Sequence, residues 1–342
     1  MSLEFESLND IAEAMTVKGK GILAADESSP TCKKRFDSID VDSTEENRNI
    51  YRDMLFTTKG MEEFISGVIL FDETIRQSTI KDGVSFPEYL SGLGVIPGIK
   101  VDAGAKHLSG TDSEKITEGL DGLDGRLKDY YKMGARFAKW RAVITIGDNE
   151  PSGTCIAANA HALARYASLC QENGIVPIVE PEILMDGDHT IEESFVVSEE
   201  VLHSVFYELY GQNVELEGMV LKPNMVLSGY DCNQQAGVEK VAELTVQVFK
   251  RCVPAAVPGI AFLSGGQSDE DATAHLNAMN QLLGDSSPWN LTFSYGRALQ
   301  APALKAWAGK DENISDAQAA FYKRARLNSL ATKGNYSEDM ES

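Results

Sequence analysis

RFAKWRAVI at 136–144 and IVPIVEPEIL at 175–184, joined by a helix-patterned stretch over 154–173, decide how this chain folds. Each apolar run is short, nearly continuous and rich in Val, Ile or Leu, the pattern of a strand buried on both faces. Six more runs of this kind recur at 21–26 (GILAAD), 67–71 (GVILF), 96–101 (IPGIKV), 218–223 (GMVLKP), 259–265 (GIAFLSG) and 290–296 (NLTFSYG). Helical patterns fill the gaps. Ser43 with Glu46 has capping-box spacing before Ile50 and Met54, and Thr190 with Glu193 repeats it before Phe195, Leu202, Phe206 and Leu209, with Gly211 as the stop. Val241, Leu244 and Val248 share a face within 237–250, and Ser268 caps Ala272, Leu276, Met279 and Leu283 ahead of Gly284. A last helix over 313–330 opens with Ser315 and Gln318.

Strands alternating with helices make a parallel sheet, and eight of them favour closure into a (β/α)8 barrel of the TIM type over an open sheet. A dinucleotide fold would need GxGxxG after the first run, and none follows 21–26. No linker or repeat interrupts the chain, so one α/β domain is expected over 1–336. The acidic tail 337–342, within an NYSEDMES end (335–342), is expected to be unstructured.

Charge narrows the function. The 342 residues carry 31 Lys+Arg against 52 Asp+Glu, a formal −21. Neither a nucleic-acid backbone nor an anionic membrane suits that balance, so no nucleic acid and no membrane are expected as partners. A hydrophobic share of 43% marks a globular chain. The opening MSLEFESLNDIAEAM does not read as a signal peptide, and no apolar run approaches a membrane span. Five scattered cysteines without CxxC, and histidines without HExxH, read as reduced thiols in a cytoplasmic protein, with no metal ligands and no cofactor.

A barrel keeps its chemistry at the C-terminal ends of its strands. Those ends carry Asp26, Asp72 with Glu73, Lys100, Lys139 with Arg141, Glu180 with Glu182, Lys222, Ser264-Gly265-Gly266 and Arg297. One ionisable strand end is ordinarily a solvated end; this many converging on one mouth read as a site. A lysine nucleophile needs a free amine, so its pKa must fall from ~10.4 toward ~7–8, by desolvation or a neighbouring cation. Lys139 and Arg141 alternate onto one strand face, as do Glu180 and Glu182. The carboxylates read either as an acid–base pair or as counter-ions of the lysines. Glycosidase chemistry also uses two carboxylates but has no call for three buried lysines. Ser264-Gly265-Gly266 ahead of a capped helix, with Arg297 after the eighth run, fits an anion pocket. Lys33-Lys34-Arg35 is either a solvated run or a second anion rim. The residues unaided lead to imine chemistry on a phosphorylated carbonyl compound, and a transaldolase-like or other lysine-imine lyase remains open beside a non-catalytic scaffold.

The segments GKGILAADES (19–28), SGVILFDET (66–74), GIKVD (98–102), FAKWR (137–141), ARYASLCQENGIVPIVEPEIL (164–184), VLKPNMV (220–226), FLSGGQSDE (262–270) and LTFSYGRALQ (291–300) closely resemble class I fructose-bisphosphate aldolase over residues ~5–336. The resemblance implies a metal-independent lyase that cleaves fructose 1,6-bisphosphate through a Schiff base. It makes Lys222 the imine lysine, Glu180 the acid–base group with Glu182 as its hydrogen-bonded companion, Asp26 the base at the C4 hydroxyl, and Lys139 the cation that helps keep Lys222 neutral. It assigns Ser264, Gly265, Gly266, Ser294, Gly296 and Arg297 to the C1 phosphate. Ser28, Thr31, Lys34, Arg35 and Lys100 line the C6 rim, and Arg141 joins the substrate-binding set. Sugar phosphates are the implied ligands and a homo-oligomer, often a tetramer, the implied assembly. Pro30 and Thr31 stand where relatives often carry other small residues, and this sequence ends at Ser342 without the longer tyrosine-terminated tail of many relatives.

Overall fold

The computed structural model of the chain describes residues 5–342. All eight apolar runs form strands: β1 Gly21–Ala24, β2 Ile65–Leu70, β3 Ile96–Lys100, β4 Phe137–Ile144, β5 Val176–Ile183, β6 Val220–Leu221, β7 Gly259–Phe262 and β8 Asn290–Tyr295. They pair in sequence order, and β1 closes on β8 to complete a parallel barrel. The longest seam joins β4 to β5, where Lys139 lies opposite Ile178 and Arg141 opposite Glu180. Only two residues of β6 carry ladder bonds, yet the Lys222 amide still donates to the Val179 carbonyl at 2.8 Å, so the lysine backbone remains anchored to β5.

The two-residue period of a strand sorts the residues by height as well as by face. Ile22, Ala24, Ile69, Ile96, Phe137, Val176, Ile178, Val220 and Ala261 fill the lower barrel as one apolar cluster. Gly98 has no side chain because the Phe137 ring occupies the space its Cβ would take. The helix Leu8–Met15, capped by Ser7 and Asp10, adds Ile11, Ala12 and Met15 to this cluster and closes the floor. Continuing up the same inward faces, the next residues are Asp26, Lys100, Lys139, Arg141, Glu180, Glu182 and Lys222, so the charged layer rests on a dry, packed one. The opposite faces, with Leu23, Val68, Ile99, Trp140, Val179 and Leu221, pack under the helices.

Several local expectations change. Thr44, not Ser43, caps Glu45–Phe56, accepting from the Asn47 amide. Gly211 is the last helical residue of Ile191–Gly211; the left-handed turn falls at Asn213. Asn313, not Ser315, precedes Ile314–Ala331. A two-stranded hairpin, Ala105–His107 with Lys115–Thr117, was not read from the sequence; its first strand is exposed and carries no apolar alternation.

The acidic tail is the largest correction. Tyr336 is buried, and its amide donates to Asn277 Oδ1 at 2.9 Å. Glu341 receives two bonds from Arg324 Nη1, at 2.6 and 2.7 Å, and one from the Tyr336 hydroxyl at 3.0 Å. Arg324 is buried and also holds the Asp269 carbonyl at 2.8 Å. The buried guanidinium pairs with the Glu341 carboxylate, which composition alone does not reveal. Removing residues 337–342 should therefore lower the thermal midpoint by a few degrees, since an unpaired buried donor costs on the order of 1–3 kcal/mol. Turnover should stay within about twofold, because these carboxylates are poor acids at pH 7. A large fall in turnover at unchanged thermal stability would give the tail a catalytic part.

Candidate active site

One cavity of about 530 Å³ opens at the C-terminal end of the barrel, a volume suited to a small phosphorylated ligand. Every residue that the family resemblance assigned to the site lines it except Gly266, which lies beside Arg297. That glycine has φ +92°, and a Cβ there would lie 2.8 Å from Arg297 Nη2 and overlap the Tyr230 hydroxyl. The backbone must pass this close for Arg297 to reach the mouth.

Four charged groups form its centre. Lys139, Glu180 and Lys222 are only 3–4% exposed, so their charges interact with little water between them. Lys222 Nζ lies 3.1 Å from Glu180 Oε1. Lys139 Nζ lies 2.8 Å from Asp26 Oδ2 and 3.2 Å from Glu180 Oε2, bridging the two carboxylates. The second contact is an ion pair without hydrogen-bond geometry, which leaves Glu180 Oε2 lone pairs free. Burial works against the Asp26 carboxylate, but Lys139 and then Lys222 outweigh it and hold its pKa far below the ordinary range. Glu180 is likewise lowered: burial opposes its charge, and Lys139, Lys222 and Arg141 override the burial. For Lys139, burial opposes the ammonium while Asp26 and Glu180 raise its pKa above that of a free lysine. Its charge is thus fixed by two carboxylates, and it steadies the charged forms of Asp26 and Glu180 in return.

Glu182 binds the Arg141 guanidinium across the β4–β5 seam, not Glu180 as the resemblance implied. Around this centre lie two cationic rims. Arg297 opens the helix Arg297–Trp307 directly after β8, beside Ser264, Gly265, Ser294 and Gly296. The buried Ser294 hydroxyl has no hydrogen-bond partner among the described residues. A buried hydroxyl without a protein partner, just ahead of a helix start, suits an anion pocket. Lys34 and Arg35 face the cavity from the helix Ser29–Asp37, with Lys100 on β3; Ser28 and Thr31 share a hydroxyl contact at 3.2 Å.

Some expected strand-end groups do not belong. Asp72 pairs with Arg76 and Glu73 with Arg48, both in the helical layer, and Lys33 turns outward to Asp37. Three groups escaped the sequence reading. Glu27, buried beside Asp26, grips Arg35 at 3.3 Å and Arg52 at 2.7 Å and accepts from Gln300 at 3.0 Å. Asp102, two residues past Lys100, pairs with it at 3.3 Å and accepts from the Gly104 amide at 3.1 Å. Both stood next to residues already singled out, so adjacency was the signal. Tyr230 donates to the Gly265 carbonyl at 3.1 Å from a loop with no motif.

The family model described as fructose-bisphosphate aldolase class-I matches residues 7–342. The chain belongs to the class I fructose-bisphosphate aldolase family. It is, with that family, an enzyme of the lyase class. A probable fructose-bisphosphate aldolase class 1 of Xanthomonas campestris is 58% identical over 98% of this chain and 99% of its own. The cytosolic fructose-bisphosphate aldolase 4 of Arabidopsis thaliana is 56% identical over 94% of this chain and 82% of its own. The fructose-bisphosphate aldolase of Plasmodium falciparum, solved with TRAP and a small-molecule inhibitor, superposes with a TM-score of 0.94 at 53% identity, covering 96% of this chain and 95% of that one.

Proposed function

We propose that this aldolase cleaves fructose 1,6-bisphosphate reversibly to dihydroxyacetone phosphate and glyceraldehyde 3-phosphate through an imine on Lys222. The observation that carries this reading is the chain of contacts Lys222–Glu180–Lys139–Asp26, held in a desolvated layer between two cationic rims.

Lys222 passes a proton to Glu180 at 3.1 Å and adds its amine to the C2 ketone. Glu180 returns the proton to the C2 hydroxyl, which leaves as water and gives a protonated imine. Asp26, ionised at neutral pH, removes the C4 hydroxyl proton. The C3–C4 bond breaks, the aldehyde departs, and the electron pair moves through C3 into the iminium to give an enamine. Water, or Glu180 once it has taken up a proton from solvent, protonates the enamine at C3; Asp26 gives up its proton to solvent, and hydrolysis frees Lys222. The protonated imine is the electron sink, so the scheme calls on no metal. Lys139 favours the charged form of both carboxylates between proton transfers, and Glu182 positions Arg141 at the cavity wall.

Ser264, Gly265, Gly266, Ser294, Gly296 and Arg297 take the C1 phosphate in this reading, and Ser28, Thr31, Lys34, Arg35 and Lys100 the C6 phosphate. Arg297→Ala should weaken dihydroxyacetone phosphate roughly 10–100-fold, the worth of a charge-assisted bidentate contact. Arg35→Ala should raise KM for fructose 1,6-bisphosphate far more than for fructose 1-phosphate. Steady-state kinetics on both sugars reads the difference, and equal losses would remove Arg35 from the phosphate rim. A transaldolase-like reaction with one phosphate site would leave that rim unused.

No helix of the described residues is long and apolar enough to cross a membrane. A cytoplasmic location is supported by five free cysteines and by relatives named as cytosolic. The family resemblance extends the proposal to a homo-oligomer, a tetramer, which light scattering on the purified chain measures.

A further inference from the structure

Far from the mouth, the outer helices bring together three side chains that the reaction does not use. Glu199 and His203 stand one turn apart on Ile191–Gly211, and Cys252 is the last residue of the neighbouring Val238–Cys252. A carboxylate oxygen, an imidazole nitrogen and the Cys252 sulfur all lie within 4.8 Å of one another. The sulfur is already fixed against this turn, since the thiol donates to the Glu199 carbonyl at 3.7 Å. Both helices are held from within, by Val201, Leu202 and Val205 on one and Val248 and Phe249 on the other.

We propose that Glu199, His203 and Cys252 form a zinc site, with water as the fourth ligand. Zinc takes thiolate at ~2.3 Å and imidazole or carboxylate at ~2.0–2.2 Å, which sets donor separations in a tetrahedron at roughly 3.5 Å. Closing from 4.8 Å asks for on the order of 1 Å of movement, which the exposed His203 and the half-buried Glu199 can supply by side-chain rotation alone. The mixed sulfur, nitrogen and oxygen set selects zinc over magnesium or calcium, which require oxygen ligands. One competitor exists, the Glu199–Arg251 ion pair at 2.9 Å. Its groups are 27% and 47% exposed, in the range where such pairs contribute little, so a cation displaces it readily. Arg251 keeps its place over the Phe195 ring, 5.2 Å from the centroid. The Cys252 thiol is pushed up to about 11, by burial first and Glu199 second, so binding must expel its proton. No motif announces this site in the sequence, because the thiol arrives from the next helix.

The two helices follow β5 and β6, the strands that carry Glu180 and Lys222, so the ion would clip together the outer supports of the catalytic pair. None of the three ligands lines the cavity. Chelator-treated full-length protein, titrated with zinc chloride by calorimetry, should bind one ion per chain with a micromolar Kd and gain several degrees in thermal midpoint. Cobalt(II) should give a thiolate charge-transfer band. Cys252→Ala and His203→Ala should each weaken zinc at least tenfold, and the first should abolish the band; Cys232→Ala, a control thiol elsewhere, should change neither. If Cys252→Ala folds poorly, the exposed His203→Ala still decides. No saturable binding at zinc on the order of 100 µM, or binding unaffected by His203→Ala, overturns the site.

Discussion

Lys222→Met should abolish cleavage of fructose 1,6-bisphosphate, with turnover falling roughly 10⁴-fold or more. Methionine matches the length and apolar stem of lysine, so the packing around β6 survives and the thermal midpoint should shift little. What disappears is the cavity amine that lies 3.1 Å from Glu180 Oε1. Lys100 is partly exposed and tied to Asp102, and Lys139 is held charged by two carboxylates, so neither can replace it. Borohydride reduction with dihydroxyacetone phosphate should fix a triose adduct on the Lys222 peptide of the wild type and none on the variant. EDTA should leave wild-type turnover unchanged, because the iminium already takes the electrons, even if chelation lowers the thermal midpoint by emptying an outer zinc site. An adduct mapped to Lys100 or Lys139, or activity lost on chelation, would overturn the assignment.

How far the chain discloses itself depends on which force shapes each part. All eight barrel strands were legible because burial on both faces demands continuous apolar runs, and their ends were legible because charge there interrupts such runs. From this followed the positions of Lys139, Arg141, Glu180, Glu182 and Lys222. The exposed hairpin over 105–117 leaves no such trace, although Gly104 and Ala105 line the cavity. Caps slipped by a residue or two where neighbouring polar side chains compete, as with Ser43 and Thr44. Strand-end position alone overcounted: Asp72 and Glu73 follow β2 but start a short helix, and arginines of the helical layer claim them. Glu27 and Tyr230 act through partners distant in sequence, Arg52 and Gln300 for one and the Gly265 carbonyl for the other, and only the folded chain brings these together. The assignment of roles drew on family resemblance, since spacing cannot say which of three buried lysines is the nucleophile.

Asp26→Asn should separate the two halves of the reaction. The amide keeps the shape of the carboxylate and can still accept from Lys139, but it cannot take a proton. Cleavage of fructose 1,6-bisphosphate should fall about 10²–10⁴-fold, the usual worth of a positioned base. Imine formation needs Lys222 and Glu180 alone, and it should continue. The wild-type carboxyl has a folded pKa depressed below its unfolded value, with burial outweighed by Lys139 and Lys222. Its contribution to stability is therefore present above the unfolded pKa of ~3.9 and is lost only as pH falls through the lower folded value. Between pH 5 and 9 it remains ionised, so any acid limb in the wild-type rate profile within that window belongs to another group. The decisive measurement is the mass of the borohydride-trapped protein after mixing with fructose 1,6-bisphosphate. Wild type should trap mainly the triose phosphate left after cleavage, whereas Asp26→Asn should trap the intact hexose bisphosphate on Lys222. If the variant traps nothing, Asp26 is needed to build the imine and not to break the carbon–carbon bond; if it traps triose at the wild-type rate, the base is elsewhere.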